Sequence, residues 1–306
     1  MKVLVISPGQ DNGGIGYAIK QAFDRNPQPY GGVQVRSVRT SNNYIDFRAD
    51  ITARKLDEEL LPLFEWADLI HMMEYFAAIE WAPGWERKPR LIHHHSATAR
   101  QAIIDRAKDE DIIQISALPT VALQDEAIEW VPNPCDTDYL GTLDRSGQDR
   151  LLISQSPSGR AKNGTQYLID AFDTVKDRAD LDIIEGLPWT ECMDRKAAAD
   201  VGFDSFTTGY GISGVEYMAM GIPLITGAID PRVESLIKQK AGCSLPYYPA
   251  TPESLPDALA EMVDFPNLRL MFGVAGRDYA RQVHGERVVA ANLRSVYERV
   301  MEKTYV

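Results

Sequence analysis

At 306 residues the chain is long enough for two domains of ordinary size, each with its own apolar core. Hydrophobic residues make up 44% and charged residues 25%, the profile of a globular protein, and no apolar run reaches the roughly 18 residues of a membrane-spanning helix. The formal charge of −12 gives little general attraction to nucleic acid or anionic membrane, although a local basic cleft remains compatible with it.

The cysteine pattern and the first residues bear on the compartment. Cys135, Cys192 and Cys243 are too few and too scattered for a disulfide framework. The first eight residues are strand-like and too short to read as a signal peptide. We therefore expect a reduced, cytoplasmic setting without membrane insertion.

The first half opens on a buried strand at 3–6, a Gly-rich turn at 9–16 and a helix from about Tyr17. This order is typical of a loop that lets a phosphate or another ligand approach the backbone. The spacing does not suit a dinucleotide, because Ile19 stands where the third glycine would fall. The second strand ends at Arg39 and carries no acidic residue for a ribose, so an NAD-dependent enzyme is disfavoured.

Three consecutive histidines close a later strand of the first half. Side chains alternate along a strand, which places His93 and His95 on one face and His94 on the other. Because the carboxyl ends of parallel strands border the ligand crevice, His95 is the candidate for contact with a reacting substrate. A metal site on His93 and His95 lacks a third ligand of telling spacing, and histidines satisfied by backbone groups are the alternative. The other elements predicted in this half are a helix at 51–64 and strands at 33–38, 67–72, 112–115 and 127–131.

A turn-rich segment through 149 leads to a second alternation of strands and helices. The fold class predicted is α/β, with two doubly wound, Rossmann-like domains at 1–145 and 146–306 facing each other across a cleft. In the second domain a strand at 150–154 runs into a polar loop that contains Arg160 and Lys162. These two cations could neutralise a diphosphate, and the alternative is a pair of solvated loop cations.

The stretch 204–227 combines a strand end, a Gly-rich turn, a short helix and a second buried strand. Gly209, Gly211 and Gly214 would let the backbone pass close to a ligand and adopt positive φ. Amides at the start of the helix suit a phosphate, and Glu216 could accept two hydrogen bonds from a ribose diol. The alternative is an ordinary tight turn with a solvated glutamate.

Four segments in this order resemble the GT-B glycosyltransferases, specifically the large retaining family known as glycosyl transferases group 1. They are 13–16, 131–138, 156–165 and 209–225. Arg160 matches the family's diphosphate-binding arginine, while Asn163 stands where a lysine is usual and Lys162 lies one place early. Glu216 matches the second glutamate of the family's Glu-x₇-Glu pair, but Thr208 replaces the first, which leaves the identity of the donor sugar open.

The resemblance implies transfer of a sugar from a UDP- or GDP-sugar to a hydroxyl acceptor of unknown type, with retention of configuration and without a metal or cofactor. The final helix, about 286–303, places Val289, Leu293, Val296 and Val300 on one apolar stripe. The resemblance also implies that this helix crosses back to the first domain. The residues it assigns to catalysis are His95, Arg160 and Lys162, and those it assigns to donor binding are Gly14, Arg160, Lys162, Asn163, Thr208, Gly209, Tyr210, Gly211, Ile212, Ser213 and Glu216.

Three alternatives stay open. A nucleotide-sugar epimerase of the same fold would act without an acceptor. A non-catalytic, nucleotide-binding GT-B protein is suggested by Thr208 alone. A DNA base is an acceptor variant of the transferase, and the acidic balance of the chain weighs against nucleic acid as a partner.

Overall fold

The computed structural model divides the chain into two compact units, Met1–Pro134 with Glu286–Val306 (unit 1) and Cys135–Gly285 (unit 2). This division lies before residue 145, where the sequence places the domain boundary, because the short helix Thr137–Leu140 packs on the helix Ile212–Ala219 of unit 2. The structure describes residues 1–7, 14–27, 32–40, 50–53, 56–95, 100–145, 149–206 and 211–303, without the side chains at 56–58 and 78.

The strands among the described residues all pair in parallel. They are β1 (Lys2–Ser7), β2 (Gln34–Arg39), β3 (Ile51–Thr52), β4 (Leu69–Met73), β5 (Arg90–His94), β6 (Ile113–Ser116), β7 (Ile128–Trp130), β8 (Leu151–Gln155), β9 (Ala179–Ile183), β10 (Val201–Phe203), β11 (Leu224–Gly227) and β12 (Tyr248–Ala250). Unit 1 holds a seven-stranded sheet in the order β3-β2-β1-β4-β5-β6-β7, and unit 2 a five-stranded sheet in the order β12-β11-β10-β8-β9.

Helices connect the parallel strands, as the geometry of parallel pairing requires. They are α1 (Ile15–Arg25), α2 (Leu56–Trp66), α3 (Gln101–Asp109), α4 (Pro119–Ala122), α5 (Thr137–Leu140), α6 (Arg160–Asn163), α7 (Thr165–Phe172), α8 (Trp189–Ala197), α9 (Ile212–Ala219), α10 (Pro231–Ala241), α11 (Leu255–Asp264), α12 (Pro266–Tyr279) and α13 (Glu286–Glu302), with 3₁₀ turns at Phe76–Ala78 and Trp85–Arg87 and a π-helical turn at Ala280–His284. The prediction of an α/β fold with two doubly wound sheets is confirmed.

The helix predicted over 51–64 is wrong at its start. Ile51 and Thr52 form the edge strand β3 and pair with Val38 and Arg39 of β2. The Arg39 Nε also donates to the Thr52 Oγ1 over 3.0 Å. Two β-branched residues fit the pleated edge of a sheet better than a helix, and the helix begins only at α2.

The core of unit 1 forms where the apolar strands meet amphipathic helices. Strand residues such as Leu4, Ile70 and Ile92 are fully buried, at a stabilisation of about 1.5–3 kcal/mol for each such side chain. On α13 the predicted apolar stripe is confirmed, because Val289, Leu293, Val296 and Val300 are all at most 1% exposed.

The last helix is an integral part of unit 1. It packs on α1, where the rings of Tyr297 and Phe23 stack with centroids 5.8 Å apart. At the start of α13 the Gln21 Nε2 donates to the Glu286 Oε1 over 2.8 Å. The C-terminal residues are therefore tied to the beginning of the chain by both apolar and polar contacts.

The core of unit 2 surrounds its central strand β10, whose Val201 and Phe203 are completely buried. Leu168 of α7 and Leu259 of α11 belong to the same cluster, so the helices flanking this sheet close over it. None of the helices in the described parts of the chain has the length and apolarity that a bilayer crossing needs.

Candidate active site

Strand order locates the candidate site of unit 2 at the carboxyl ends of β8 and β10. From β8 the chain continues to β9 on one side, whereas β10 lies on the other side. Ligands of open α/β sheets bind at such a switch point, outside the carboxyl ends of the strands. The loops that leave these two ends contain nearly all the predicted donor-binding residues. Of those, Thr208, Gly209 and Tyr210 lie outside the described residues.

Arg160 lies in the loop after β8, as the sequence predicts, but it already has a partner. Its Nε and terminal nitrogen bind the Glu185 carboxylate in a two-point pair, with contacts of 2.9 and 2.6 Å to Oε2. Both side chains are exposed, at 57% and 36%. The hydrogen bond from Arg160 lowers the pKa of the Glu185 carboxyl. A phosphate that binds Arg160 must therefore compete with this carboxylate.

The other two loop residues differ in their role. Lys162 is exposed. The Asn163 Oδ1 accepts from the Gly159 amide over 3.2 Å and from the Ser158 hydroxyl over 3.3 Å. The Asn163 side chain therefore stabilises the conformation of its own loop. The two cations of this loop are Arg160 and Lys162.

The first turn of α9 is the second part of this site. Gly211 precedes the helix, and its amide donates to the buried Asp204 Oδ2 over 2.9 Å. Burial raises the pKa of the Asp204 carboxyl. A side chain at Gly214 would meet Leu224 at 2.8 Å and the Asp204 carboxylate at 3.1 Å, so only glycine lets the turn approach this closely. One of the amides predicted for phosphate is thus held by the protein's own carboxylate.

A serine pair joins the two loops. The Ser156 and Ser213 hydroxyls lie 3.0 Å apart, which connects the segment after β8 to the first turn of α9. Ile212 and Ser213 belong to that turn, whose amides have no acceptor within the helix. The arrangement offers helix-start amides as hydrogen-bond donors to an anion, and the segment that Ser156 connects to them continues to Arg160 and Lys162.

Glu216 is buried, so the alternative of a solvated glutamate is wrong. It is 8% exposed, and each carboxylate oxygen has a donor. The Lys196 Nζ lies 2.5 Å from Oε2, and the Trp189 Nε1 lies 3.0 Å from Oε1. Lys196 itself is 1% exposed. The two charges compensate each other, because an isolated charge at such depth would be strongly destabilising.

Sequence reasoning missed Lys196, Trp189, Asp204 and Glu185. Lys196 carried a signal in the sequence, because it lies on the same face of α8 as the apolar residues Met193 and Ala197. A lysine on a buried face needs a buried partner for its charge. The remaining three carried none, because their roles depend on which strand ends are neighbours.

The predicted residues of unit 1, Gly14 and His95, are described separately. Gly14 precedes α1 with φ 64°, a left-handed conformation that favours glycine. The His95 ring contacts the His93 ring at a centroid distance of 4.0 Å, whereas His94 binds the Gln114 Oε1 over 2.9 Å. The predicted alternation of the three histidines is confirmed.

A buried chain of polar rings stands behind His95. The His93 Nδ1 lies 2.9 Å from the His71 Nε2, and the His71 Nδ1 lies 3.0 Å from the Tyr297 hydroxyl. Burial lowers the pKa of His71 to about 3 and that of His95 to about 4, and it also lowers the pKa of His93. These imidazoles are therefore neutral at physiological pH. Within the described residues no group of three or more metal-ligating side chains is placed to hold a metal ion.

Comparisons with solved structures define the fold. The chain is similar to a glycosyltransferase from Rickettsia africae over 99% of both chains, with a TM-score of 0.68 and 10% identity. It is similar to Anabaena Alr3699/HepE, solved with UDP and glucose, over 98% of this chain and 100% of that one, with a TM-score of 0.66 and 12% identity. A third likeness, covering 99% and 98% of the two chains, is to a protein assigned as a UDP-N-acetylglucosamine 2-epimerase from Listeria monocytogenes, with a TM-score of 0.59 and 16% identity.

No protein-family model matches the sequence, and a search of curated proteins returned no significant match. At these low identities the structural likenesses establish the fold alone. That fold is the GT-B type, two α/β units built on parallel sheets, which the chain has in common with the Rickettsia glycosyltransferase and with the Anabaena protein solved with UDP and glucose.

Proposed function

We propose that the protein is a glycosyltransferase that moves a sugar from a UDP- or GDP-sugar to a hydroxyl acceptor with retention of configuration. The observation that carries the proposal is the buried, charge-compensated Glu216 in the first turns of a helix that begins at the switch point of unit 2. A carboxylate there suits a ribose diol, and the helix start beside it suits a diphosphate. The GT-B fold, found in neighbours solved with UDP, supports the same assignment.

Arg160 and Lys162 are proposed to bind the donor diphosphate together with the amides of Ile212 and Ser213. During transfer the bond between the anomeric carbon and the diphosphate oxygen breaks, and negative charge develops on the leaving phosphate. Cations and helix-start amides aimed at that oxygen stabilise the transition state more than the ground state. The Arg160 guanidinium would exchange the Glu185 carboxylate for a phosphate, two of whose oxygens can accept hydrogen bonds from the same two nitrogens.

His95 is proposed to contact the donor sugar. Its imidazole is neutral, and a neutral imidazole has one nitrogen that donates and one that accepts a hydrogen bond. The uncharged ring can therefore bind a sugar hydroxyl in either direction. The acceptor oxygen attacks on the face from which the diphosphate leaves, and its proton passes to the leaving phosphate. The proposed reaction uses no side-chain nucleophile and no metal, so turnover is expected to persist in the presence of a chelator.

A thermal-shift and calorimetry screen against UDP, GDP, ADP and their sugars tests donor binding. A ligand at 100 times its dissociation constant adds about 2.7 kcal/mol of stability, which is readily seen. Turnover with hydroxyl acceptors, and the anomeric configuration of the product by NMR, then test the reaction. Absence of binding by every diphosphate in the panel would refute the proposal.

Two arginine variants sharpen the binding test. Arg160→Ala should weaken diphosphate binding on the order of tenfold, the loss expected for one charge-assisted, two-point contact. Arg150→Ala is the matched control, because Arg150 also pairs with a carboxylate of the neighbouring strand, Asp180 at 3.1 Å, but at the amino ends of β8 and β9. Equal effects of the two variants would place the diphosphate elsewhere.

An epimerase acting on a nucleotide sugar is the second candidate, favoured by the likeness to the Listeria protein assigned as a 2-epimerase. Such an enzyme converts its sugar without an acceptor. Incubation of the protein with a bound nucleotide sugar alone therefore separates the two candidates. An epimerised sugar in that mixture would favour the epimerase, and transfer only when an acceptor is added would favour the transferase.

A further inference from the structure

The buried ammonium group of Lys196, on α8, donates its hydrogen bonds to residues of α9. Besides Glu216, the Lys196 Nζ donates to the Ser213 Oγ over 2.9 Å and to the Ser213 carbonyl over 3.3 Å. An ammonium has three donors, and these three contacts use them all. With 1% of its surface exposed, Lys196 is not available to a ligand. Its effect on the site must pass through Glu216 and Ser213.

Both carboxylate oxygens of Glu216 accept hydrogen bonds from residues of α8. Lys196 holds Oε2, and the indole N–H of Trp189, the first residue of that helix, holds Oε1. One donor on each oxygen fixes both the rotamer and the plane of the carboxylate. An ionised carboxyl group has about four acceptor positions, so one position on each oxygen remains for a ligand.

Two remaining positions on one carboxylate match two adjacent hydroxyl donors. The 2′ and 3′ hydroxyls of a ribose are such a pair, whereas a 2′-deoxyribose keeps only one. A preorganised carboxylate discriminates between them better than a mobile one, because no rotamer freedom is lost on binding. The distinction depends on Lys196 as well, since a buried glutamate without a cation would turn toward water or be neutralised.

We propose that Lys196 and Trp189 are positioning residues that aim Glu216 at the ribose diol of a nucleoside diphosphate and so select ribonucleotides over deoxyribonucleotides. This inference rests on the proposed function, because it assigns the ribose of the donor to Glu216. Neither residue is catalytic.

The experiment measures dissociation constants by calorimetry for UDP, GDP and ADP, and then for the 2′-deoxy analogue of whichever binds most tightly. In the wild type the deoxy analogue should bind about tenfold more weakly or worse, as expected for a lost hydrogen bond to a charged group. Lys196→Met and Trp189→Phe should each reduce that ratio to within about threefold. Trp189→Phe keeps an aromatic ring, removes the N–H donor and reduces the size of the ring system.

Tyr217→Phe is the matched control. Tyr217 is the next residue of α9 and is fully buried, and its hydroxyl lies 2.8 Å from the Ser154 Oγ. The variant removes a buried hydrogen bond from the same helix but leaves Glu216 and its two donors in place. Its ribo-to-deoxy ratio should equal that of the wild type.

The outcomes separate this inference from the function on which it rests. If no diphosphate binds, the proposed function and the inference both fail. If a diphosphate binds but its deoxy analogue binds equally well, diphosphate binding stands and the inference is overturned. A wild-type ratio retained in Lys196→Met and Trp189→Phe also overturns it. If Lys196→Met does not melt cooperatively, Trp189→Phe decides alone, since Trp189 is only half-buried.

Discussion

Lowering the pH should destabilise unit 1 through its buried imidazoles. His71, His93 and His95 are neutral in the folded protein because burial lowers the pKa of each. In the unfolded chain a histidine regains a pKa of about 6.5 and takes up a proton below it. The unfolded state then binds more protons than the folded state, so stability is fully present above pH 6.5 and falls as the pH drops toward the folded-state values.

The size of the effect follows from the folded-state values of about 3 for His71 and about 4 for His95. For both histidines, pH 5 is about 1.5 units below the pKa in the unfolded chain and is still above the pKa in the folded protein. At about 1.4 kcal/mol per unit, each then removes about 2 kcal/mol of stability. His93 acts in the same direction. The loss of about 4 kcal/mol from two residues is a large part of the 5–15 kcal/mol that a domain typically has.

Urea unfolding at pH 7.5 and pH 5.0 measures the loss. Tryptophan fluorescence reports mainly on unit 1, which contains Trp66, Trp81, Trp85 and Trp130. His71→Gln removes one titrating group and should lose about 2 kcal/mol less than the wild type between the two pH values. Tyr297→Phe, which removes only the hydroxyl that binds His71, should lower stability by about 1–3 kcal/mol at both pH values and keep the wild-type pH dependence.

A wild-type unfolding free energy that is the same at pH 7.5 and pH 5.0 would refute this reasoning. So would a pH dependence that His71→Gln leaves unchanged, because His71 would then be protonated in the folded state or not titrate at all.

The remaining predictions concern the site and the last helix. Glu185→Gln should tighten diphosphate binding, since it releases Arg160 from a competing carboxylate; weaker binding by calorimetry would instead make Glu185 part of the site. Glu216→Gln should raise the dissociation constant of a ribonucleotide more than that of its 2′-deoxy analogue, and equal losses would mean that the ribose lies elsewhere. Deleting residues 286–306 should abolish turnover and destabilise unit 1, because Tyr297 and its apolar neighbours are part of that core; a compact, fully active truncated protein in scattering and turnover measurements would contradict this.

Much of the fold could be predicted from local patterns. Short buried runs separated by amphipathic helices indicate parallel strands, and the twofold alternation correctly separates His94 from His93 and His95. The apolar stripe of α13 was equally visible, because residues three and four apart share one face of a helix. Local patterning failed at Ile51 and Thr52, where pairing with a neighbouring strand overrides the periodicity of the helix that follows.

For the candidate site, too, some features could be predicted from local sequence and others depend on tertiary contacts. The sequence by itself determined that Arg160, Lys162 and Glu216 follow strand ends in the second half, since glycine-rich turns and helix starts are encoded within a few residues. Only the tertiary structure decided what these side chains touch. The carboxylate that pairs with Arg160 follows β9, and the cation that compensates Glu216 lies on the preceding helix α8.

Such pairings depend on the order of strands in the sheet, which places β8 between β9 and β10. The contact between His71 and Tyr297 joins residues 226 positions apart, and no local pattern connects them. Sequence periodicity states which face of an element is buried, whereas the partner on that face is chosen by packing of the whole unit. The hydrogen-bonded rings of His93, His71 and Tyr297, and the hydrogen bonds from α8 to Glu216, are therefore properties of the folded protein alone.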